Sequence, residues 1–320
     1  MRPNFARLGL SAALGIAATA LTVHAAPQPY PTKPINIVTP LPAGSTVDVL
    51  ARAFAQQLSQ RLKTPVVVET KAGAGLMLAM QNVANAPADG YTLAFTPATP
   101  LSIQTHRHKN AGYTLESFVP LCQTFENIFY LAASPGSDIK DIRTLVDRLK
   151  KDPGRFSYGH SGIGSAPHLM TEEFLRDLNV RATEISYRGE TALLPDLTSG
   201  QIDGGLVTTS VLLQHNYRPL VVFSTARTKE FPDVPTTAEL GSKVHSSTYG
   251  GIFIRKDVPQ DVLVTLEGAC RDIVNSPSYQ QMADQLQQTA TYLDRPAFSR
   301  RVAADHASKG RLLDELKLKD

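Results

Sequence analysis

The chain has little cysteine: Cys122 and Cys270 are the only two. Neither has a second cysteine three positions on, so the Cys-x-x-Cys motifs of zinc ribbons and dithiol redox proteins are absent. An even count permits one disulfide in an oxidising compartment, and two buried thiols are the alternative. Cys122 sits in a strand-like run and Cys270 in a helix-like one, a pairing that spacing does not decide. Excess charge of one sign is also missing. Lys and Arg number 32 against 29 Asp and Glu, and the formal charge is +3. That balance gives no support for nucleic-acid binding. Internal repeats and low-complexity tracts are absent, and beyond Val23 no apolar run is long enough to span a bilayer.

What is present begins with an export signal. Arg2 and Arg7 make a positive start, and Leu8 to Val23 is mostly Leu, Ala, Gly and Ile. Val23-His24-Ala25 supplies the small residues expected before cleavage, which places the cut after Ala25. No cysteine follows, which argues against a lipid anchor, and the separated arginines argue against a twin-arginine signal. An uncleaved anchor is the competing reading. Removing Arg2 and Arg7 lowers the formal charge from +3 to +1. About 295 residues then remain, enough for two lobes of ordinary size.

Two segments repeat one arrangement of strand, small-residue loop and helix. Ile35 to Thr39 reads as a buried strand, Pro40 to Asp48 as a loop, and Val47, Leu50, Ala51, Phe54, Leu58 and Leu62 recur at helical spacing. Ser45 or Thr46 is the expected N-cap. Tyr158 to Leu169 repeats the arrangement with three glycines, the hydroxyls of Ser161 and Ser165, and Pro167 at the helix start. Unpaired N–H groups at a helix start attract anions. One such turn is an ordinary strand-to-helix connection. Two, each with hydroxyls, point to two lobes that offer helix N-termini to one cleft.

The remaining pattern alternates. Strands are expected at Val66–Glu69, Tyr91–Phe95, Gln201–Val207, Leu220–Ser224 and Ile252–Ile254, with helices at Met77–Ala86, Ile142–Lys150 and Thr191–Ser199. Val262, Leu266, Ala269 and Ile273 mark a further helix, and Phe298, Val302 and Leu312 to Leu316 the last. Such alternation predicts an α/β fold of parallel sheets covered by helices on both faces.

The order of these segments resembles the periplasmic solute receptors of tripartite tricarboxylate transporters, the Bug receptors. The resemblance rests on Tyr30-Pro31-Thr32-Lys33-Pro34-Ile35, Pro40–Asp48, Ala88-Asp89-Gly90-Tyr91-Thr92-Leu93 and Tyr158–Leu169. Tyr187-Arg188-Gly189, Gly200-Gln201-Ile202-Asp203, Phe231–Thr236 and Glu239-Leu240-Gly241 complete it. It implies a two-lobed periplasmic-binding-protein fold (Venus flytrap, type II) with two crossover hinge segments. Residues 26–127 and 249–320 would form one lobe and 128–248 the other. It implies a monomer in the periplasm, no cofactor, and capture of a small carboxylate for delivery to a two-component membrane permease. The first-lobe loop of the family matches Pro40–Asp48, its carboxylate loop matches Ser161–Ser165, and its strand ending in Gln-Val-Asp matches Gln201-Ile202-Asp203.

The chain departs from that pattern at several points. Ala43-Gly44-Ser45 stands where Pro-Gly-Gly is usual, which adds a hydroxyl. Lys71-Ala72-Gly73-Ala74-Gly75-Leu76 replaces a more glycine-rich turn, and Leu76 would narrow or grease that wall. His160 occupies a position where a small residue is common. Val207-Thr208 replaces Asp-Asn, and the lost carboxylate weakens the case for an amino-acid ligand.

The expected ligand-facing set in the first lobe is Ala43, Gly44, Ser45, Thr46 and Asp48, with Gly73, Gly75 and Thr96. In the second lobe it is Ser161, Gly162, Ile163, Gly164 and Ser165, with His168, Asp203 and Thr208. Loop N–H groups and serine hydroxyls would hold carboxylate oxygens, since few cleft arginines are evident. Asp48 has a second reading as support for its own helix N-terminus, and Asp203 as a turn cap. His168 would back its loop or pack in the core. No metal site is expected: His106-Arg107-His108 offers only two close donors and reads as a solvated loop.

Enzymatic readings meet specific obstacles. Gly159-His160-Ser161-Gly162-Ile163 lacks the final glycine of a hydrolase elbow. Gly159 to Gly164 has phosphate-loop spacing, but Ser165 stands where lysine is required. A secreted serine hydrolase using Ser161 or Ser165, and a ligand sensor feeding a membrane kinase, are the alternatives to a transport receptor.

Overall fold

The computed structural model describes residues 30–244 and 248–319. The export signal and its cleavage point lie outside the described residues. The chain starts with β1 (Ile35–Thr39), α1 (Thr46–Leu62), β2 (Val66–Thr70), α2 (Met77–Ala84) and β3 (Thr92–Pro97). A wide helical turn over Pro100–Gln104 runs into the short α3 (Thr105–Arg107), and β4 (Phe118–Asn127) follows. The second unit holds β5 (Phe129–Ala133), α4 (Ile142–Lys151), β6 (Ser157–His160), α5 (Ala166–Asp177) and β7 (Thr183–Ser186). It continues with α6 (Glu190–Ser199), β8 (Gly204–Thr208), α7 (Thr209–Gln214) and β9 (Arg218–Val222). The chain then returns as β10 (Thr248–Arg255), α8 (Gln260–Val274), α9 (Pro277–Gln285) and α10 (Arg295–Glu315).

Two five-stranded sheets result, in the orders β2-β1-β3-β10-β4 and β7-β6-β8-β5-β9. In the first, β1 is parallel to β2 and β3, and β10 is antiparallel to β3 and β4. In the second, β6 is parallel to β7 and β8, and β5 is antiparallel to β8 and β9. Each sheet has its own apolar core. Phe54, Phe95, Phe125 and Ile252 sit in one, and Tyr158, Phe174, Leu206 and Phe223 in the other. The structure therefore has the two-lobed α/β architecture.

Register fixes how the lobes face each other. Asn127 ends β4 opposite Thr248, at the sheet edge where β1 and β3 also end. One residue later Phe129 opens β5 opposite Thr208, the last residue of β8. A single linking residue, Ile128, cannot span a sheet length. The carboxyl-terminal edges of the two sheets must therefore confront one another. The loops that follow β1, β2 and β3 thus face those that follow β6, β7 and β8, as carboxyl-end crevices do in open α/β sheets.

Both cysteines are fully buried in the first lobe and form a disulfide between β4 and α8, with their Cα atoms 6.6 Å apart. The last helix ties the lobes together. Lys309 of α10, only 5% exposed, pairs with Glu173 of α5 at 2.9 Å, and Ser308 donates to the same carboxylate at 2.8 Å. Arg176 also pairs with Glu315, and Ile103, Leu169, Leu312 and Leu313 form an apolar cluster drawn from both lobes and α10.

The element pattern differs from the sequence reading in places. The strand expected over Gln201–Val207 begins only at Gly204, because Gln201 to Asp203 continue the turn after α6. The strand expected over Leu220–Ser224 covers Arg218–Val222. Helix α9 and strand β7 had no counterpart in that reading. Both are short, and β7 is the polar edge strand Thr-Glu-Ile-Ser.

Candidate ligand-binding site

The first loop folds around its own aspartate. Ser45 caps α1, its Oγ accepting the Asp48 N–H at 3.3 Å. The Asp48 carboxylate is buried and turned back. It accepts the Gly44 N–H at 2.9 Å and a two-pronged bond from Arg52 at 2.9 and 3.0 Å. Burial alone would raise its pKa, but the Arg52 guanidinium and the Gly44 N–H together hold it below the usual carboxylate range. Asp48 and the Gly44 N–H are thus committed to each other, in line with the reading of Asp48 as support for its own helix N-terminus. Ala43 and Gly44 are exposed, and Ser45 and Thr46 half-buried, at the cleft edge.

The turn after β2 runs through left-handed backbone at Ala74, Gly75 and Leu76, while Gly73 has φ of 130°. A Cβ on Gly75 would lie 2.9 Å from the Gln104 amide nitrogen, so this glycine lets the Gln104 side chain close over the turn. Thr96 reaches the right edge but is fully buried, and its hydroxyl donates to the Pro97 carbonyl at 3.0 Å. It faces the core rather than the cleft.

The second loop is built on two histidines. Glu184 pairs with Tyr158 across β6 and β7, and strand alternation puts Tyr158, His160 and Glu184 on one face. Helix α5 covers that face, with His168 on its first turn. The rings of His160 and His168 stack at 4.3 Å with 14° between their planes. Both point Nε2 at one Glu184 oxygen, at 2.5 and 3.2 Å.

The opposite ring nitrogens hold the loop. Gly164 donates its N–H to His168 Nδ1 at 2.9 Å, and the Gly162 N–H lies 3.2 Å from His160 Nδ1. The Gly164 N–H makes His168 Nδ1 an acceptor, so that ring carries its hydrogen at Nε2, facing Glu184, whereas His160 Nδ1 lies between the N–H of Gly162 and, at 3.1 Å, its carbonyl. Burial, helped by His160 and Arg107 against the pull of Glu184, pushes His168 down to about 4. His168 therefore backs the loop, and the N–H groups of Gly162 and Gly164 are turned toward the two imidazoles. The exposed parts of this loop are Ile163, 49% accessible, and the half-buried Ser161 and Ser165.

These three side chains also bring ligand atoms within 4.8 Å of one another, a spacing a cation could use. Their chemistry does not fit one. His168 Nδ1 receives the Gly164 N–H, so its Nε2 carries hydrogen and has no lone pair to give, which leaves only His160 and Glu184 as donors. Ser165 Oγ is engaged as the cap of α5 and accepts the His168 backbone N–H at 3.4 Å.

Asp203 lies away from the others. Its carboxylate accepts the Ser157 N–H and hydroxyl, both at 2.8 Å, where β6 and β8 begin. The five residues of β8 put about 17 Å between that edge and the cleft. Thr208 does reach the cleft edge, where Glu190 takes its N–H at 2.5 Å and its hydroxyl at 3.2 Å. Burial raises the Glu190 pKa, opposed by those two bonds. This carboxylate comes from the start of α6, and no sequence signal marked it.

Arg107 was missed as well. Its neighbour His106 does not lie in a solvated loop: it bonds the His306 carbonyl at 2.8 Å and packs against the His306 ring, with centroids 3.9 Å apart and planes tilted by 40°. Docked in this way on α10, the 105–107 turn carries Arg107 across to the second loop, where Nη1 lies 3.4 Å from the Ile163 carbonyl.

The sequence matches the family described as "Tripartite tricarboxylate transporter family receptor" over residues 50–318. The chain belongs to this receptor family. Its members are substrate-binding receptors, not enzymes. Among its relatives is a UPF0065 protein of Bordetella pertussis, 30% identical over 284 residues, or 87% of each chain. A TctC solute binding protein from Polaromonas has a similar structure, with TM-score 0.80 and 25% identity over 89% of this chain and 99% of that one. The periplasmic binding protein BugD is similar at TM-score 0.70 and 26% identity, over 91% of this receptor and 99% of BugD. The hydrolase alternative is thereby set aside for this receptor, in agreement with the engaged histidines.

Proposed function

We propose that this receptor is exported to the periplasm, captures a small carboxylate between its lobes as a monomer, and delivers it to a two-component membrane permease. One observation carries the reading. The sheet edges that hold the loops face each other across a one-residue link, and each presents a serine-capped helix N-terminus, at Ser45 and Ser165. Helix N-termini favour anions through their aligned peptide dipoles. The family's description names tricarboxylates, and the solved relatives named above are solute-binding or periplasmic binding proteins. Ser45, Thr46, Ser161 and Ser165 supply hydroxyls at the cleft edges, with Ala43, Ile163 and Thr208 beside them. Closure is stabilised by contacts that a ligand makes with both lobes at once. No cofactor enters this reading.

A thermal-shift screen against mono-, di- and tricarboxylates, amino acids and aromatic acids tests it. A bound carboxylate raises the melting temperature with the logarithm of its concentration. Ester turnover with no shift from any acid would overturn the reading.

A further inference from the structure

We propose that Arg107 is the charged anchor for the ligand's carboxylate, closing from the first lobe onto the serine-capped start of α5 in the second. The inference rests on the carboxylate reading above and adds the counter-charge that reading lacks. Three features of Arg107 carry it. First, among the described residues no carboxylate pairs with it, unlike Arg52 with Asp48, Arg301 with Glu126 and Arg176 with Glu315. Second, its Nε is buried and bonds to nothing, and the bond from Nη1 to the Ile163 carbonyl is long at 3.4 Å. A guanidinium left in this state is short of an acceptor, and a carboxylate offers bonds nearer ~2.8 Å to two of its nitrogens at once. Third, it lies against the loop itself. A Cβ on Gly164 would sit 3.0 Å from Cζ, Nε and Nη1, so the guanidinium lies close against this glycine.

Position reinforces charge. Arg107 follows β3, whose end lies on the cleft edge of the first sheet, and the His106–His306 contact fixes the turn that carries it. A Cβ on Gly310 would stand 2.6 Å from the His106 ring, so α10 is shaped to receive that ring closely. The residue is therefore held rigidly on one lobe while its side chain meets the other. A carboxylate entering between Arg107 and the loop displaces the weak Ile163 contact and receives the guanidinium on one side. On the other side it meets the hydroxyls of Ser161 and Ser165. Guanidinium keeps its charge at any physiological pH. The anchor is thus a permanent one, and the ligand class it selects is a carboxylate and not a neutral isostere such as an amide.

The test uses the full mature chain with acetate, succinate, citrate, benzoate and aspartate as probes, read by thermal shift and calorimetry. For whichever probe the wild type binds, Arg107→Gln is expected to weaken binding about 10–100-fold, and Arg107→Lys by a smaller factor, since lysine keeps charge but loses the fork. The unliganded melting temperature of both variants is expected to stay near wild type, which separates an anchor from a structural role. Undiminished binding by Arg107→Gln overturns this inference and leaves the receptor reading intact. If none of the five probes binds the wild type, both fall.

Discussion

Gly164 donates its backbone N–H to His168 Nδ1 at 2.9 Å, so a loop expected to offer that donor outward is held from behind by an imidazole. The bond fixes the tautomer of His168, aims its Nε2 at Glu184, and keeps the loop rigid without ligand. Preorganised loops lose less entropy on binding.

The same bond predicts a pH dependence. His168 sits near 4 in the fold against 6.5 when free, so between those values the unfolded chain binds more protons. Stability is therefore full above about pH 6.5 and falls as pH drops toward 4, by an amount on the order of 1–3 kcal/mol. Denaturant midpoints between pH 7.5 and pH 5 measure it, and His168→Gln should flatten that slope.

Gly164→Ala tests the loop backbone. Gly164 has φ of 70°, and a Cβ there meets the Arg107 guanidinium at 3.0 Å. The expected cost is about 1–2 kcal/mol for the left-handed backbone, read from urea melts. Arg107 is expected to move away, which weakens carboxylate binding as well.

The Cys122–Cys270 disulfide closes a loop of 148 residues that contains the whole second sheet. Chain-entropy arithmetic gives about 5 kcal/mol for such a loop, and native disulfides commonly contribute roughly 2–5. The Cys122→Ala/Cys270→Ala variant should lose stability in that range by chemical denaturation. The loss belongs to the first lobe, where both residues sit in the core.

Glu190 offers a contrast between charge and hydrogen bonding. Glu190→Ala strands the Thr208 N–H and should cost about 1–3 kcal/mol. Glu190→Gln keeps an acceptor and should cost less. Because the Glu190 pKa is raised, the fold binds the extra proton, and this group's contribution weakens as pH rises through that raised value. Glu190→Gln should remove that component, which runs opposite to the His168 slope.

Local signals in the sequence were reliable where one segment decides the outcome. Ser45 and Ser165 cap α1 and α5, as hydroxyls before apolar periodicity suggest. Gly200, with φ of 75°, ends α6 as a left-handed cap should. The structural reading of Asp203 agrees with its bonds to Ser157, whereas the strand pattern did not show where pairing starts, at Gly204. The partners of the loop were illegible for a different reason. Glu184, Glu190 and Arg107 reach the site from β7, α6 and the turn after β3, and only tertiary packing brings them to Thr208 and Gly164. The expectation of neutral donors alone followed from counting arginines near the loops in sequence, where Arg107 does not appear.

Capture between the lobes is tested most directly by amide hydrogen exchange with and without a saturating carboxylate from the binding screen. Amides over 43–46 and 161–165 are expected to gain protection together, since one ligand bridges both edges. Protection confined to one lobe, or unchanged exchange in both loops under saturation, would contradict it.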